Sequence, residues 1–221
     1  MSYQDTAEPR LPKAVRRERP EGAIPDPDGD PYLDLVRQSF AHTTLDFTGF
    51  DVVEIDDCML EACRLLVGPD TEFSIRRSWL KLSDLSGVRI LRGCSESVFS
   101  DCKMLGVDFG AGTMRDLEFK GCRITDLTIR RTRLERIEFA DCQMAIVDAG
   151  SARLEDVAVP GSVITGLDLD LAQCERVDLR GARELGVKRT ATLAGCTLSS
   201  DQAMELAIAF AVEAGVIVRD S

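Results

Sequence analysis

In blocks of five, residues 97–180 read SVFSD CKMLG VDFGA GTMRD LEFKG CRITD LTIRR TRLER IEFAD CQMAI VDAGS ARLED VAVPG SVITG LDLDL AQCER VDLR. The third residue of all 17 blocks is apolar, although only 44% of the chain is, and the first residue of every block is small or apolar. This period of five fits neither the repeat of about 3.6 residues of an α-helix nor the alternation of a strand. A spacing that persists this long indicates a short sequence repeat, and short repeats form solenoids.

The same spacing of apolar residues extends toward the N-terminus, from Leu45 to Leu65 and from Ile75 to Ile90. Two irregularities interrupt it. Asp70, beside Gly68 and Pro69, occupies a position that should be apolar, so one side of the repeat is expected to be irregular there. Phe99 follows Ile90 by nine positions, whereas the repeat requires ten. One residue is therefore missing near Cys94, and we expect the stack to bend or loosen at that point, as it does at a bulge.

Several blocks resemble the motif of the pentapeptide-repeat family, in which a small residue and Asp or Asn precede Leu or Phe. Good matches are Val107-Asp108-Phe109, Leu117-Glu118-Phe119 and Val177-Asp178-Leu179. The resemblance implies an all-β solenoid, a right-handed quadrilateral β-helix in which each block forms one side and four blocks form a coil. The third and first residues of each block would point into a narrow core. About 28 blocks between Leu45 and Leu179 then predict roughly seven coils.

Composition divides the chain into three parts. Residues 1–34 contain six of the eight prolines and are predicted to be a disordered or loosely docked N-terminal arm. A passive tail and a basic handle that docks on this protein or another both remain open for this arm. Residues 35–198 are predicted to form the β-helix, and residues 199–221 a C-terminal helix and short strand.

The C-terminal part reads as a cap for the last coil. Ser199 to Asp201 supply N-cap chemistry, residues 202–214 are predicted to be helical, and Gly215 is a suitable stop. The helix is apolar nearly all round, which predicts burial on two sides. One face would close the last coil and the other would pair with a second copy in a two-fold dimer, with a simple lid on a monomer as the alternative. The expected dimer interface consists of Met204, Ala207, Ile208, Phe210 and Ala211, with 216–218 as a short strand beside it.

The eight cysteines are expected to be free thiols of a protein in the reducing cytoplasm. Cys102, Cys122 and Cys142 are spaced by twenty residues and should stack in the core. Parallel thiols about 4.8 Å apart neither form a disulfide nor converge on a metal, so they are predicted to be apolar fillers. Cys58 and Cys63 are expected to be the same. The most accessible thiols are predicted to be Cys94 and Cys196.

No catalytic, cofactor-binding or metal-binding residue is predicted, and the chain is not expected to be an enzyme. His42 is the only histidine, and the sequence has no glycine-rich phosphate loop, HExxH or CxxC motif. No signal segment and no membrane-spanning run is found. The net charge of −11 argues against direct binding to nucleic acid or to an anionic membrane. Trp79 is expected on the outer surface, either as a partner contact or under the N-terminal arm.

The closing stretch from Thr192 to Ala211 resembles the terminal segment of the quinolone-resistance group of pentapeptide-repeat proteins. The resemblance implies a non-enzymatic, acidic, dimeric rod that imitates duplex DNA and binds DNA gyrase, modulating or protecting this type II topoisomerase. The expected partner-binding acidic face consists of Asp148, Asp168, Asp170 and Asp178.

Two features of the charge distribution oppose this interpretation. Residues 42–198 carry 26 acidic and 20 basic residues, a net charge of only −6. A basic middle also interrupts the acidic sequence; it consists of Arg115, Lys120, Arg123, Arg130, Arg131, Arg133 and Arg136. The alternative is a generic protein-interaction scaffold without topoisomerase activity, with Trp79 as an anchor. A third interpretation also remains open, in which the charged runs are only a solvated surface that binds no partner.

Overall fold

The structure, a computed structural model, describes residues 21–22, 24–25, 30–110 and 112–219. In this part of the chain, short strands run parallel to one another and pair in register from coil to coil. Most pairs join residues twenty apart, such as Met114 with Leu134 and Leu134 with Leu154. The predicted all-β solenoid with four blocks per coil is confirmed.

The first nine strands are β1 (Tyr32–Val36), β2 (Ser39–Ala41), β3 (Thr44–Phe47), β4 (Val52–Asp56), β5 (Met59–Glu61), β6 (Arg64–Val67), β7 (Glu72–Arg76), β8 (Trp79–Lys81) and β9 (Cys94–Ser100). The next six are β10 (Lys103–Met104), β11 (Val107–Asp108), β12 (Thr113–Lys120), β13 (Arg123–Ile124), β14 (Leu127–Thr128) and β15 (Arg133–Ala140). The last six are β16 (Gln143–Asp148), β17 (Arg153–Ala158), β18 (Val163–Asp168), β19 (Gln173–Asp178), β20 (Glu184–Val187) and β21 (Cys196–Thr197).

The number of coils exceeds the prediction. The largest sheet has the order β1-β4-β7-β9-β12-β15-β17-β19-β21, so nine strands follow one another along one side and the chain makes about eight turns. Roughly seven were predicted, because the count began at Leu45 and ended at Leu179. The first coil starts instead at Tyr32, and β20 and β21 continue beyond Leu179. At about 4.8 Å per coil, the stack is about 38 Å long.

One continuous hydrophobic core fills the solenoid from Leu33 to Leu193. Every predicted core position from Phe99 to Leu169 in steps of five is buried, and only Cys174 in the later part of that series is half-buried. Phe119 stacks between Phe99 and Phe139, with ring centroids 4.8 Å and 4.7 Å away. The side chains in steps of five therefore turn toward a common axis, as predicted.

Both predicted irregularities are present. At the first, Asp70 is turned outward, and the Thr71 hydroxyl fills the gap by donating to the Phe50 carbonyl at 2.7 Å. At the second, Cys94 pairs with Ile75 on one side and Met114 on the other, so the missing residue lies just before Cys94. A turn at Gly93, with φ of 102°, takes up the difference.

The missing residue does not interrupt the stack. β9 pairs with both β7 and β8 on one side and with β12 on the other. The predicted loosening is therefore not observed in the strand pairing.

One corner of the solenoid is charged on eight successive coils. Its residues are Arg37, Asp57, Arg77, Glu96, Asp116, Arg136, Asp156 and Arg176, and their φ angles lie between 48° and 56°. Such left-handed backbone is uncommon outside glycine. The strand ladder holds it in place: the N–H of Arg37 donates to the Asp56 carbonyl and that of Asp57 to the Arg76 carbonyl, both at 3.0 Å. We call this column the charged corner.

Two segments cover the ends of the solenoid. At the N-terminal end, Gly22 N–H donates to the Ser39 carbonyl at 2.7 Å and Ile24 packs against the core, so this part of the predicted arm is docked. The predicted arm residues 1–20 lie outside the described residues. At the C-terminal end, the Gln202 side-chain amide donates to the Leu179 carbonyl at 2.8 Å.

The predicted single C-terminal helix consists of two. α1 (Ser200–Glu205) begins with a capping box between Ser199 and Gln202, and α2 (Ala207–Glu213) follows a break at Leu206. Leu206 packs against the core, which explains the break. The chain leaves α2 at Gly215 with φ of 84°, as predicted, and residues 216–219 have no regular secondary structure. No helix in the described part of the chain is long and apolar enough to cross a membrane.

Candidate protein-binding surface

The four carboxylates predicted to bind a partner do not share one side of the rod. Asp148 and Asp168 are direct neighbours, because β16 and β18 pair with these residues opposite each other. Asp170 lies two residues further on, and its N–H donates to the Asp168 carboxylate at 3.0 Å. Asp178 belongs to β19 and pairs with Ala158. Since ten residues, or two of the four sides of a coil, separate Asp168 from Asp178, the set lies on opposite sides.

Each of these carboxylates forms an ion pair with a cation of the same chain. The pairs are Asp148–Arg130 (3.0 Å), Asp168–Lys188 (2.8 Å), Asp178–Arg180 (2.7 Å) and Asp170–Arg189. The Lys188 ammonium lowers the pKa of Asp168, and the Arg180 guanidinium lowers the pKa of Asp178, so both carboxylates are ionised at neutral pH. The surface is therefore less negative than the acidic residues alone suggest.

A straight column of glutamates is a more regular acidic feature than the predicted set, although each of its members also pairs with an arginine of the same chain. Glu135, Glu155 and Glu175 are directly opposite one another in β15, β17 and β19. Arg176 contacts two of them, with its Nη2 2.8 Å from Glu155 and its Nη1 next to Glu175. We call these three residues the glutamate column. The sequence contains a signal that could have predicted this column, because its three residues are spaced by twenty, as the stacked cysteines are.

The basic middle is only partly neutralised. Arg130 pairs with Asp148, and Arg136 pairs with Asp116 through its Nε at 2.6 Å. Arg133 pairs with Glu135. The cations of this set that form no ion pair among the described residues are Arg115, Lys120, Arg123 and Arg131. Four of the seven cations of the basic middle are therefore not offset by a carboxylate of the described part of the chain.

Trp79 lies half-buried on the outer surface of β8, between Met59 and Val98 of the neighbouring coils. Lys81 Nζ is 5.6 Å from its ring centroid, a cation–π contact. The described part of the N-terminal arm pairs with Ser39, two coils away in the same column. The two interpretations of Trp79, as a partner contact and as a patch under the arm, both stay predictions. His42 is exposed at a corner, with φ of 52°.

Burial of the cysteines follows the repeat. Cys58, Cys63, Cys102, Cys122 and Cys142 are buried in the core, as predicted. The thiols of the stacked three donate to carbonyls of the preceding coil, for example Cys122 to Phe99 at 3.3 Å. The prediction that Cys94 is accessible is wrong, because Cys94 occupies a core position and is 1% exposed. Cys196 is half-buried, and so is Cys174, which the sequence analysis did not single out as accessible.

We expect a water-soluble disulfide reagent to modify at most two of the eight thiols of the native protein, those of Cys174 and Cys196. Burial raises the pKa of the Cys94 and Cys63 thiols, which keeps them in the unreactive protonated form at neutral pH. Absorbance of the released thiolate, compared with the same protein in denaturant, gives the count. Rapid modification of three or more thiols in the folded protein would contradict the core assignment.

The residues predicted to form a dimer interface are unpartnered on the single chain. Met204 is 68% exposed, Ile208 64% and Phe210 37%. Ala207 is also exposed and Ala211 is half-buried. Val216, Ile217 and Val218 extend the same apolar surface beyond α2. α2 therefore packs on the solenoid with only a minor part of its apolar surface.

The geometry of the coils identifies the architecture. A five-residue side, a twenty-residue register and inward-pointing residues at the first and third positions of each block are all observed. The fold is a solenoid with four five-residue sides per coil, which is the architecture that the resemblance to pentapeptide-repeat proteins predicts. No protein-family model matches this chain, and no curated protein matches it.

Solved structures of QnrB1, a plasmid-mediated fluoroquinolone resistance protein, align with this chain. A trypsin-treated variant is 18% identical over 82% of this chain and 99% of its own, with a TM-score of 0.29. A second trypsin-treated variant is 14% identical over 85% and 100%, with a TM-score of 0.30. Full-length QnrB1 is 14% identical over 80% and 98%, with a TM-score of 0.27. At these values the assignment of the fold depends on the coil geometry and not on the alignments.

Proposed function

We propose that this chain is a non-enzymatic rod that binds a DNA-handling protein by imitating the charge of duplex DNA, and that a type II topoisomerase such as DNA gyrase is the partner. The observation that carries the proposal is the glutamate column, in which Glu135, Glu155 and Glu175 repeat in register on three successive coils. Proteins that bind DNA present basic surfaces to its phosphates, and a regular line of carboxylates competes for the same surfaces. The net charge has the sign that the proposal requires, −11 for the whole chain and −6 over residues 42–198.

The ion pairs within the chain set the strength of this mimicry. Exposed ion pairs contribute only about 0–1 kcal/mol each, so lysine or arginine side chains of a partner can replace Arg133 or Arg176 beside the glutamate column at little cost. The carboxylates repeat about every 4.8 Å, whereas duplex DNA carries a charge about every 1.7 Å. The rod is therefore expected to bind more weakly than DNA of equal length, and with a clear dependence on salt.

We further propose that the binding unit is a homodimer formed through α2. Three exposed apolar side chains on the helices support this arrangement: Met204, Ile208 and Val212. A second copy of the same surface would cover them in a two-fold interface. Two solenoids joined in this way would present a longer acidic rod than one chain does.

The purified protein is expected to inhibit DNA supercoiling by gyrase at micromolar concentration in low salt. Replacing the glutamate column by glutamine (E135Q, E155Q and E175Q) should weaken inhibition by about tenfold or more, because three phosphate-like charges are removed. The control is the triple variant E72Q, E96Q and D126N, which removes the same net charge from scattered positions. Supercoiling is measured on plasmid gels across a salt series, with thermal melting to verify folding.

Two outcomes of that assay count against the proposal. Lack of inhibition by the native protein in low salt would refute the topoisomerase as partner. Equal losses from the two triple variants would show that net charge alone acts, and that the glutamate column is not recognised.

A protein-interaction scaffold is the second candidate, because Trp79 lies on the outer surface opposite Met59, with the Lys81 ammonium over its ring. An apolar anchor with a cation beside it is typical of protein interfaces. In this case, Trp79→Ser would abolish partner binding and neutralising the glutamate column would not.

A further inference from the structure

A basic groove lies where the solenoid lacks one residue. It has a volume of about 430 Å³. Its lining includes Arg76, Arg92, Arg115, Arg133, Gly93 and Ser95. Glu135 is the only carboxylate among the lining residues. We call this feature the arginine groove; it adjoins the glutamate column at Glu135.

Strand register explains why four arginines meet here. Arg76, Ser95 and Arg115 follow one another in a single column, and the small Ser95 leaves the space between the two arginines open. Arg133 lies one coil further, opposite Thr113. Arg92 lies directly before the turn at Gly93, where the coil is one residue short. The irregularity thus places a fourth guanidinium beside the column.

The positive charge of the groove is incompletely neutralised. Arg76 and Arg92 share one carboxylate, that of Glu54, at 3.2 Å and 3.9 Å. Arg133 pairs with Glu135, and Arg115 forms no ion pair among the residues that the structure describes. Arg133 Nη2 also lies 4.0 Å from Glu155, so four guanidiniums face three carboxylates in a protein whose overall charge is −11.

We propose that the arginine groove binds a short oligophosphate, such as the di- or triphosphate part of a nucleotide. Guanidinium groups bind phosphate oxygens in a bidentate manner and stay charged at all physiological pH values. The volume is typical of small-ligand sites, which measure about 300–1,000 Å³. Arg76 and Arg115 are two coils, or about 9.6 Å, apart, so linked phosphates reach both and a single phosphate does not.

The same column excludes a long polyanion. Beyond Arg115 it continues with the glutamate column, Glu135, Glu155 and Glu175. A nucleic acid laid along the rod would leave the arginines and meet these carboxylates, which would repel it. The groove is therefore suited to an anion that ends within two or three coils.

Titration calorimetry of the full chain with inorganic tripolyphosphate in low salt tests the proposal. We expect one site per chain, and binding at least about tenfold weaker for orthophosphate and for Arg115→Ala. Since Arg115 makes no ion pair with the described residues, Arg115→Ala should fold normally. Arg115→Lys should give intermediate affinity, because lysine keeps the positive charge but cannot donate two parallel hydrogen bonds to a phosphate as a guanidinium does. The control is Arg123→Ala, which removes an equally free arginine from another side and should change affinity less than about twofold.

Four results would overturn the proposal. The first is no binding of tripolyphosphate up to millimolar concentration. The second is an equal loss for Arg115→Ala and Arg123→Ala, which would mean nonspecific attraction. The third is tighter binding of a single-stranded oligonucleotide than of tripolyphosphate, which would mean that a long polyanion is preferred. ATP is expected to match tripolyphosphate, because the phosphate chain supplies the contacts; ATP binding without tripolyphosphate binding would also contradict it.

Discussion

Replacing Phe119 with alanine is expected to lower the free energy of unfolding by about 3–5 kcal/mol. Phe119 is 1% exposed and lies between the rings of Phe99 and Phe139, with Phe109 edge-on at 6.3 Å. Its strand, β12, is paired on both sides, with β9 and β15. Because these ladders hold the backbone in place, the neighbours cannot collapse into the space left by the ring.

Chemical denaturation followed by circular dichroism measures this loss. The matched control is Leu105→Ala, an apolar truncation at a 48% exposed side chain, which should change stability by less than about 0.5 kcal/mol. A loss below about 1 kcal/mol for Phe119→Ala would mean that the ring does not contribute to the core as described.

Ile208→Asp is expected to convert a dimer into monomers, with a dissociation constant at least about a hundredfold higher, because a two-fold axis would bury both introduced carboxylates. Ile208 is the better position than Phe210 for this test. Its side chain is 64% exposed on the single chain, against 37% for Phe210, so the substitution disturbs the fold of one chain less. Sedimentation velocity over a concentration series measures the change.

Leu82→Asp is the control for the dimer. Leu82 is 54% exposed on the solenoid and follows β8, several coils before α2, so the same type of substitution there should leave association unchanged. A dimer that survives Ile208→Asp, or a native chain that stays monomeric at high concentration, would show that α2 does not form the interface.

The period of five was sufficient to predict the core, because each coil contacts only its neighbours and the pattern repeats without long-range information. Phe99, Phe119 and Phe139 illustrate this, since twenty-residue spacing alone brings their rings together. Cys94 shows where the method failed. If the missing residue lay after Cys94, this side chain would face solvent; because it lies before Cys94, the side chain lies in the core. The composition of this stretch did not distinguish these two positions of the missing residue.

The surface was harder to predict than the core. The ion pairs of Asp148 with Arg130 and of Asp168 with Lys188 join residues of adjacent coils, 18 and 20 positions apart. Whether such side chains meet depends on rotamers and on local register, which the repeat does not specify. The arginine groove follows from a shift of one residue, and so it became visible only when the register around Gly93 was known.

Because the sign of the charged corner differs from coil to coil, a gene duplication or deletion cannot add or remove any coil without consequence. From Asp116 onward it alternates in sign, and Arg136 bonds Asp116 while Arg176 bonds Asp156. Loss of the single coil that carries Arg136 would place Asp116 next to Asp156, and the two carboxylates would repel each other. Loss or gain of two coils together would keep opposite charges in contact. Rods of this kind are therefore expected to change length by pairs of coils more readily than by single ones.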